Sequence, residues 1–229
     1  MPDMPRQLTL DLPLDPRYGA EDFLVSPSNE HAYGFMESWP DWPDTILTLS
    51  GPRGSGKSHL LAIWATSARA RTIKASEIAG SHIPELLLTG ALAVEDVDQG
   101  ELDEAALFHL LNLARERKAY IVLTSEKPPN QWGLRTADLL SRLRLAPAIA
   151  LHPPDDALLK AVLVKLFVDR QIVVDTTVVD YIALRIERSL ARAAEIVAML
   201  DQEALSRSKR VSRAIAAEIL GGQEMEDSE

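Results

Sequence analysis

The stretch Gly51-Pro52-Arg53-Gly54-Ser55-Gly56-Lys57-Ser58 constrains this chain more than any other. It fits G-x-x-x-x-G-K-[ST], follows a β-like run at Thr45-Ile46-Leu47-Thr48-Leu49, and precedes a helical run from His59 to Ala68. That strand, turn and helix context is what a phosphate cradle needs. Gly51, Gly54 and Gly56 let the backbone take positive φ and turn N–H groups inward, at a helix N-terminus whose dipole favours an anion. Lys57 is expected to meet the β- and γ-phosphates, and the Ser58 hydroxyl to ligate Mg²⁺. A glycine-rich turn with a chance Lys-Ser is the alternative, and the flanking elements weigh against it. A nucleoside di- or triphosphate is the expected ligand.

Around this motif β-like runs alternate with helical ones. Thr72 to Lys74, Leu92 to Val94, Tyr120 to Thr124 and Ala148 to Leu151 read as strands; a helical stretch up to Leu88, then Ala105 to Arg117 and Ala137 to Leu145, read as helices. Such alternation implies right-handed crossovers and a parallel sheet covered on both faces. Upstream, Ser28 or Asn29 is a plausible N-cap for a helix running to about Glu37, ended by Trp39-Pro40-Asp41-Trp42-Pro43. Pro153-Pro154 marks a boundary, beyond which Asp155 to Asp169, Thr177 to Ile186, Ser189 to Leu205 and Val211 to Leu220 are amphipathic and should form a small bundle. The expected organisation is a tail over 1–16, an α/β core over 17–153, a helical lid over 154–222, and a frayed acidic end over 223–229.

Composition excludes several classes. With no cysteine there is neither a disulfide framework nor a thiolate metal site, and a reducing cytoplasm is the expected compartment. No apolar run approaches the roughly 18 residues of a membrane span, and no secretory signal is expected. A net charge of −10 argues against a DNA clamp, since such proteins need a basic surface. Arg185, Arg188, Arg192, Arg207, Lys209, Arg210 and Arg213 nevertheless concentrate positive charge late in the chain, as a local basic patch or as solvated helix faces.

Glu95-Asp96, after the apolar Leu92-Ala93-Val94, has the form of a strand end that delivers one carboxylate to Mg²⁺ and a second to an attacking water. A turn is the alternative reading of the same pair.

In order along the chain, Asn29 to Ala65, Leu123-Thr124-Ser125-Glu126-Lys127-Pro128-Pro129, Leu140-Ser141-Arg142-Leu143 and Arg188-Ser189-Leu190-Ala191-Arg192 resemble the AAA+ family. The likeness is to its branch of the bacterial replication initiator DnaA and the short, Hda-type regulators related to it, and it covers about Tyr18 to Leu220. The resemblance implies a P-loop AAA+ core with a helical lid, and bound ADP or ATP with Mg²⁺. It implies that Gly51 to Ser58 hold the phosphates and that Phe23, Leu24 and Val25 line the adenine pocket. Thr124 and Ser125 would sense the γ-phosphate, and Arg192 of the lid would reach back to it. Arg142 would be an arginine finger acting on a neighbour's nucleotide. Unaided, both arginines read as helix-surface residues.

Two departures bear on function. Glu95 stands where this branch usually places an Asp on Mg²⁺, which puts the chain's own hydrolysis in doubt. The sequence also ends after the lid, so the DNA-reading helix-turn-helix of DnaA is not expected, nor is sequence-specific DNA binding. Near the start, Gln7-Leu8-Thr9-Leu10-Asp11-Leu12 places three leucines on one side if extended. It is similar to the sliding-clamp-binding peptide of the Hda-type regulators, with an edge strand or a disordered tail as alternatives. The implied role is negative regulation of replication initiation. DnaA and the β clamp of DNA polymerase III would be partners, a homodimer or larger oligomer is possible, and the setting is the bacterial cytoplasm near the replisome. The other implied role is an initiator-like or helicase-loader-like ATP switch; a stand-alone P-loop kinase or NTPase lacks any acceptor-site signature.

Overall fold

A computed structural model describes residues 18–78, 83–207 and 209–226. Five strands form one sheet: β1 (Ile46–Ser50), β2 (Arg71–Lys74), β3 (Ala91–Glu95), β4 (Tyr120–Ser125) and β5 (Ala148–Ala150), in the order β2-β3-β4-β1-β5. Every pairing is parallel. The expected α/β class therefore holds. The central strands are buried along nearly their whole length and are mostly apolar, because helices cover both of their faces. Alternation along each strand then sends neighbours to opposite layers. Leu47 and Leu49 of β1 pack with Leu60, Leu61 and Trp64, whereas Ile46, Leu92 and Val94 pack with Leu107, Leu110 and Leu111.

In chain order the helices are α1 (Glu30–Glu37), α2 (Lys57–Ala68), α3 (Ile83–Leu86), α4 (Glu104–Arg117), α5 (Ala137–Leu145), α6 (Asp156–Asp169), α7 (Thr176–Ala183), α8 (Leu190–Arg207) and α9 (Arg213–Glu226). The first five belong to the layers around the sheet. The last four enclose a separate core of Leu159, Leu163, Phe167, Ile182, Ile196, Val197 and Leu200. Truncating one such leucine to Ala is expected to cost about 2–5 kcal/mol. Asp155, directly after Pro153-Pro154, caps α6 by accepting the Leu158 N–H at 2.8 Å. That bond, the largest cause, holds its carboxyl below the usual range.

Two local expectations are revised. Asn29 occupies the N-cap position of α1, but its side chain accepts the Ser26 N–H at 2.8 Å and donates to the Leu24 carbonyl at 2.9 Å. It therefore fixes the approach loop rather than the helix. α9 continues past Leu220, through Gly221 and Gly222, to Glu226. Residues 1–16, which contain Gln7, Leu8, Leu10 and Leu12, lie outside the described residues.

Insertion of β4 between β1 and β3 positions the site. It brings the end of β4 between the turn after β1 and the turn after β3, so three strand ends converge on one edge of the sheet.

Candidate nucleotide-binding site

Gly51 leaves β1 with its N–H bonded to the Ser125 carbonyl at 3.1 Å, and α2 begins six residues later at Lys57. Gly54 and Gly56 take φ of +73° and +99°, the left-handed region that side chains resist. At Gly51 the limit is space, since an added Cβ would stand 2.6 Å from the Leu151 carbonyl oxygen. Within this turn the Lys57 ammonium is buried and donates to the carbonyls of Gly51 at 2.7 Å and Pro52 at 3.0 Å. Burial lowers its pKa, opposed by the charges of Glu126, Asp96 and Asp98. The Ser55 hydroxyl is buried in the same turn without a hydrogen-bond partner among the described residues, while Ser58 is exposed. An orphaned hydroxyl, a buried ammonium and a glycine turn in left-handed conformation at a helix start fit a phosphate chain.

The carboxylates sort themselves differently from the simple reading of Glu95-Asp96. Glu95 is the last residue of β3 and half-buried, while Asp96 breaks from the strand with φ of +57°. The Asp96 N–H is held by the Thr124 hydroxyl oxygen at 3.2 Å. Ser125, fully buried, donates its hydroxyl to the Lys127 carbonyl at 2.7 Å. Thr124 and Ser125 thus shape the loops at the strand ends. Asp98 accepts the N–H groups of Glu126 and Lys127 and ties the turn after β3 to the turn after β4. Glu126 is the leading carboxylate acting on Lys57. Neither Glu126 nor Asp98 was marked by sequence pattern, because their roles arise from strand order. Among the described residues no three His, Asp or Glu side chains converge as a metal site. A Mg²⁺ here would rest on Ser58, one or two carboxylates, water and ligand phosphates, a set that suits this ion.

Of the three residues expected to line a base pocket, Phe23 joins an aromatic wall at the start of α2. It stacks on Tyr33 at 5.3 Å and meets His59 edge-on at 5.2 Å, and Tyr18 also meets His59 edge-on at 5.3 Å. The His59 Nε2 is 2.9 Å from the Gly19 carbonyl oxygen. Leu24 is partly buried and Val25 half-exposed. Tyr18, Tyr33 and His59 escaped sequence reading because they come from three separate elements.

The lid closes on this site through its backbone. The Leu190 N–H, at the start of α8, donates to the Gly54 carbonyl at 2.8 Å, and a Cβ at Gly54 would stand 2.0 Å from the Ser189 Oγ. Lys165 of α6 adds a second tie, to Asp22 at 2.8 Å. Arg192 follows in the first turn of α8, with its guanidinium on Glu195 at 3.1 Å. Arg142 is elsewhere. On α5 it stacks over the Phe108 ring at 4.9 Å, and its carbonyl takes a bond from Arg115, which pairs with Asp44 just before β1. Asp44 and the Arg142 carbonyl lie toward the end of β1 opposite the phosphate turn, while the Arg142 guanidinium rests over Phe108, in the second turn of α4.

No family model matches the chain. The replication initiator DnaA of Limosilactobacillus reuteri is 22% identical over 238 residues, covering 93% of this chain and 54% of that protein. The DnaA of Thermomicrobium roseum is 25% identical over 202 residues, covering 77% of this chain and 43% of its own length. The chain thus spans about half the length of the curated relatives it matches. Domain III of Thermotoga maritima DnaA superposes with a TM-score of 0.74 at 22% identity, covering 91% of this chain and 97% of that one. The fold is that of the AAA+ domain of DnaA. The AMPPCP-bound DnaA of Aquifex aeolicus gives a TM-score of 0.67 at 19% identity, covering 85% of this chain and 70% of that one. Over most of its length the chain is thus similar, in sequence and in fold, to the AAA+ part of the replication initiator DnaA.

Proposed function

We propose that this protein is an Hda-type regulator that binds ADP or ATP with Mg²⁺ and switches off replication initiation by stimulating hydrolysis of DnaA-bound ATP. The observation that carries the reading is the location of Arg142. Its guanidinium rests on the Phe108 ring of α4 and makes no contact with its own phosphate turn among the described residues, which supports a role toward a nucleotide held by another molecule. An arginine finger supplied in trans is worth about 10³–10⁵ in rate. DnaA is the partner whose nucleotide would receive it, in line with the relatedness of the two AAA+ folds.

On this reading the protein's own nucleotide serves as a structural element. Phosphates would take over the Lys57 ammonium from Gly51 and Pro52, beside the lid contact at Gly54. Glu95 in place of Asp supports weak self-hydrolysis, since an extra methylene moves the carboxylate relative to a tight octahedral ion. Gln7, Leu8, Leu10 and Leu12 would tether the protein to the sliding clamp in the bacterial cytoplasm. Burying two or three leucines yields roughly 4–8 kcal/mol gross, and ordering the peptide costs about 1 kcal/mol per residue or more. Single-site affinity is therefore modest and avidity on a multi-site ring matters.

Kinship with initiators also supports a second reading, an ATP switch that recruits a partner without triggering hydrolysis. The deciding experiment follows DnaA-bound ATP with and without this protein and a DNA-loaded clamp. Acceleration that requires both, and that is lost with Gln7→Ala/Leu8→Ala together with clamp retention, is the expected result. No acceleration favours the switch.

A further inference from the structure

Helix α6 is apolar on both of its sides. Leu159, Leu163 and Phe167 enter the lid core. On the outer side Ala157, Ala161, Val164 and Val168 are all exposed, the two valines by 45% and 65%. Successive steps of four, three and four residues place these four in one line along a single helix face. The charged side chains of α6 leave that line bare and are all engaged: Asp156 with Arg188, Lys160 with Asp180, and Lys165 with both Asp22 and Asp169. By helical rotation Lys160 borders the line on one flank and Lys165 on the other. A helix that is apolar all round is ordinarily a covered one.

The path of the chain indicates the cover. Residues 1–17 precede Tyr18, the first described residue, and Asp22 is held 2.8 Å from Lys165 at the edge of the exposed line. The Gly19 carbonyl oxygen, 2.9 Å from the His59 Nε2, fixes the same entry from the other side. The six steps from Tyr18 back to Leu12 reach up to about 20 Å when extended, and α6 is itself about 21 Å long, so Leu12 can arrive anywhere along it. Pro13 and Pro16 keep that approach from continuing as a helix. In an extended segment Leu8, Leu10 and Leu12 recur on one side about every 6.6–6.8 Å, close to the rise of about 4.5–6 Å between successive members of the α6 line.

We propose that the exposed line of α6 is a docking surface for residues 8–12 of the same chain. Leu8, Leu10 and Leu12 lie on Ala157, Ala161, Val164 and Val168, with Thr9 and Asp11 turned to water. An uncharged leucine edge meets an uncharged helix face. The short tether gives an effective concentration on the order of millimolar, so a weak contact suffices. The consequence rests on the reading of this peptide as the clamp tether: its leucines cannot occupy α6 and the clamp at once. The clamp therefore competes with the protein's own lid. A peptide docked about nine-tenths of the time lowers the apparent clamp affinity about tenfold.

The chain has no cysteine, which permits a direct test. Thr9→Cys/Ala161→Cys in the full chain, kept dilute, is treated with a short bismaleimide. The expected product is a link within one molecule. Its rate of formation should fall at least about fivefold, as the effective concentration falls, when Val164→Ser/Val168→Ser is added, and likewise when Leu8→Ser/Leu10→Ser is added. A rate that neither pair changes overturns the docking, and so does a link formed only between molecules, which would make the occupant a second copy's tail. In a clamp titration, Val164→Ser/Val168→Ser without the cysteines should bind up to about tenfold more tightly than wild type. Equal affinity of the two overturns the competition. Clamp binding by neither contradicts the tether reading instead, and the crosslink still decides the docking.

Discussion

Gly54→Ala should undo the closed lid, and the cost can be worked from the structure. Gly54 sits at φ +73°, where an alanine pays about 1–2 kcal/mol for the left-handed conformation. Its Cβ would stand 2.0 Å from the Ser189 Oγ, 3.0 Å from the Ser189 Cβ and 3.1 Å from the Ala191 N, so the start of α8 must move. Movement breaks the 2.8 Å bond from Leu190 to the Gly54 carbonyl, worth about 0.5–1.5 kcal/mol net. The sum is a loss of about 1.5–3.5 kcal/mol in lid docking, which lowers the exchange protection of the first amides of α8 by about one to two and a half orders of magnitude. Ser189→Gly alone should cost only a few tenths of a kcal/mol, although the Ser189 hydroxyl caps the Arg192 N–H at 3.2 Å. Combined with Gly54→Ala it removes the nearest clash and leaves the backbone strain. The double-mutant cycle should therefore show the serine change rescuing about 1 kcal/mol or more. Hydrogen exchange and thermal melts without nucleotide provide the readout. Unaltered protection of α8 in Gly54→Ala, or strict additivity in the cycle, would refute the reasoning.

Further outcomes follow from the titrating groups. Burial lowers the Lys57 pKa below its usual 10.5, and a phosphate would restore the charged form. Nucleotide affinity should therefore fall as pH rises through the lowered value, before 10.5 is reached, and Lys57→Gln should show a weak, pH-independent affinity by calorimetry. Glu104, at the start of α4, accepts the N–H groups of Arg135 and Thr136, both at 2.8 Å, and so anchors the entry to α5, which carries Arg142. The Arg135 bond, first among the causes, pulls its pKa below 4.5. Its contribution to stability is thus complete above the unfolded value and is lost as pH falls through the folded one. Glu104→Gln should melt earlier than wild type near neutrality and converge with it in acid; a constant gap across that range would count against the assignment.

The β-branched and apolar runs that announced the strands did so because a parallel sheet buries both faces of its central members, so pattern and burial coincide at Ile46 to Ser50 and Tyr120 to Ser125. The phosphate turn was legible for a similar reason: its glycines are demanded by local backbone geometry. What escaped depends on tertiary placement. Asn29 has the right identity and position for a cap, but the approach loop competes for its side chain and wins two hydrogen bonds. Glu126 and Asp98 meet because β3 and β4 pair side by side, a partnering that spacing along the chain does not encode. The seat of Ser189 against Gly54 joins residues 135 positions apart, where a small residue on one side and a serine on the other leave no periodic trace. Arg142 was picked out by family resemblance alone; a helix-surface arginine has no local signature, and its stacking on Phe108 appears only once α4 and α5 are packed.

The most direct measurement is the single-turnover rate of hydrolysis of DnaA-bound ATP, in the presence of DNA-loaded clamp, with wild type and with Arg142→Ala. The account predicts that the wild type accelerates hydrolysis and that the variant returns the rate to that of DnaA alone, a loss on the order of 10³ or more, while clamp binding and nucleotide binding are retained. Equal stimulation by both proteins would contradict it.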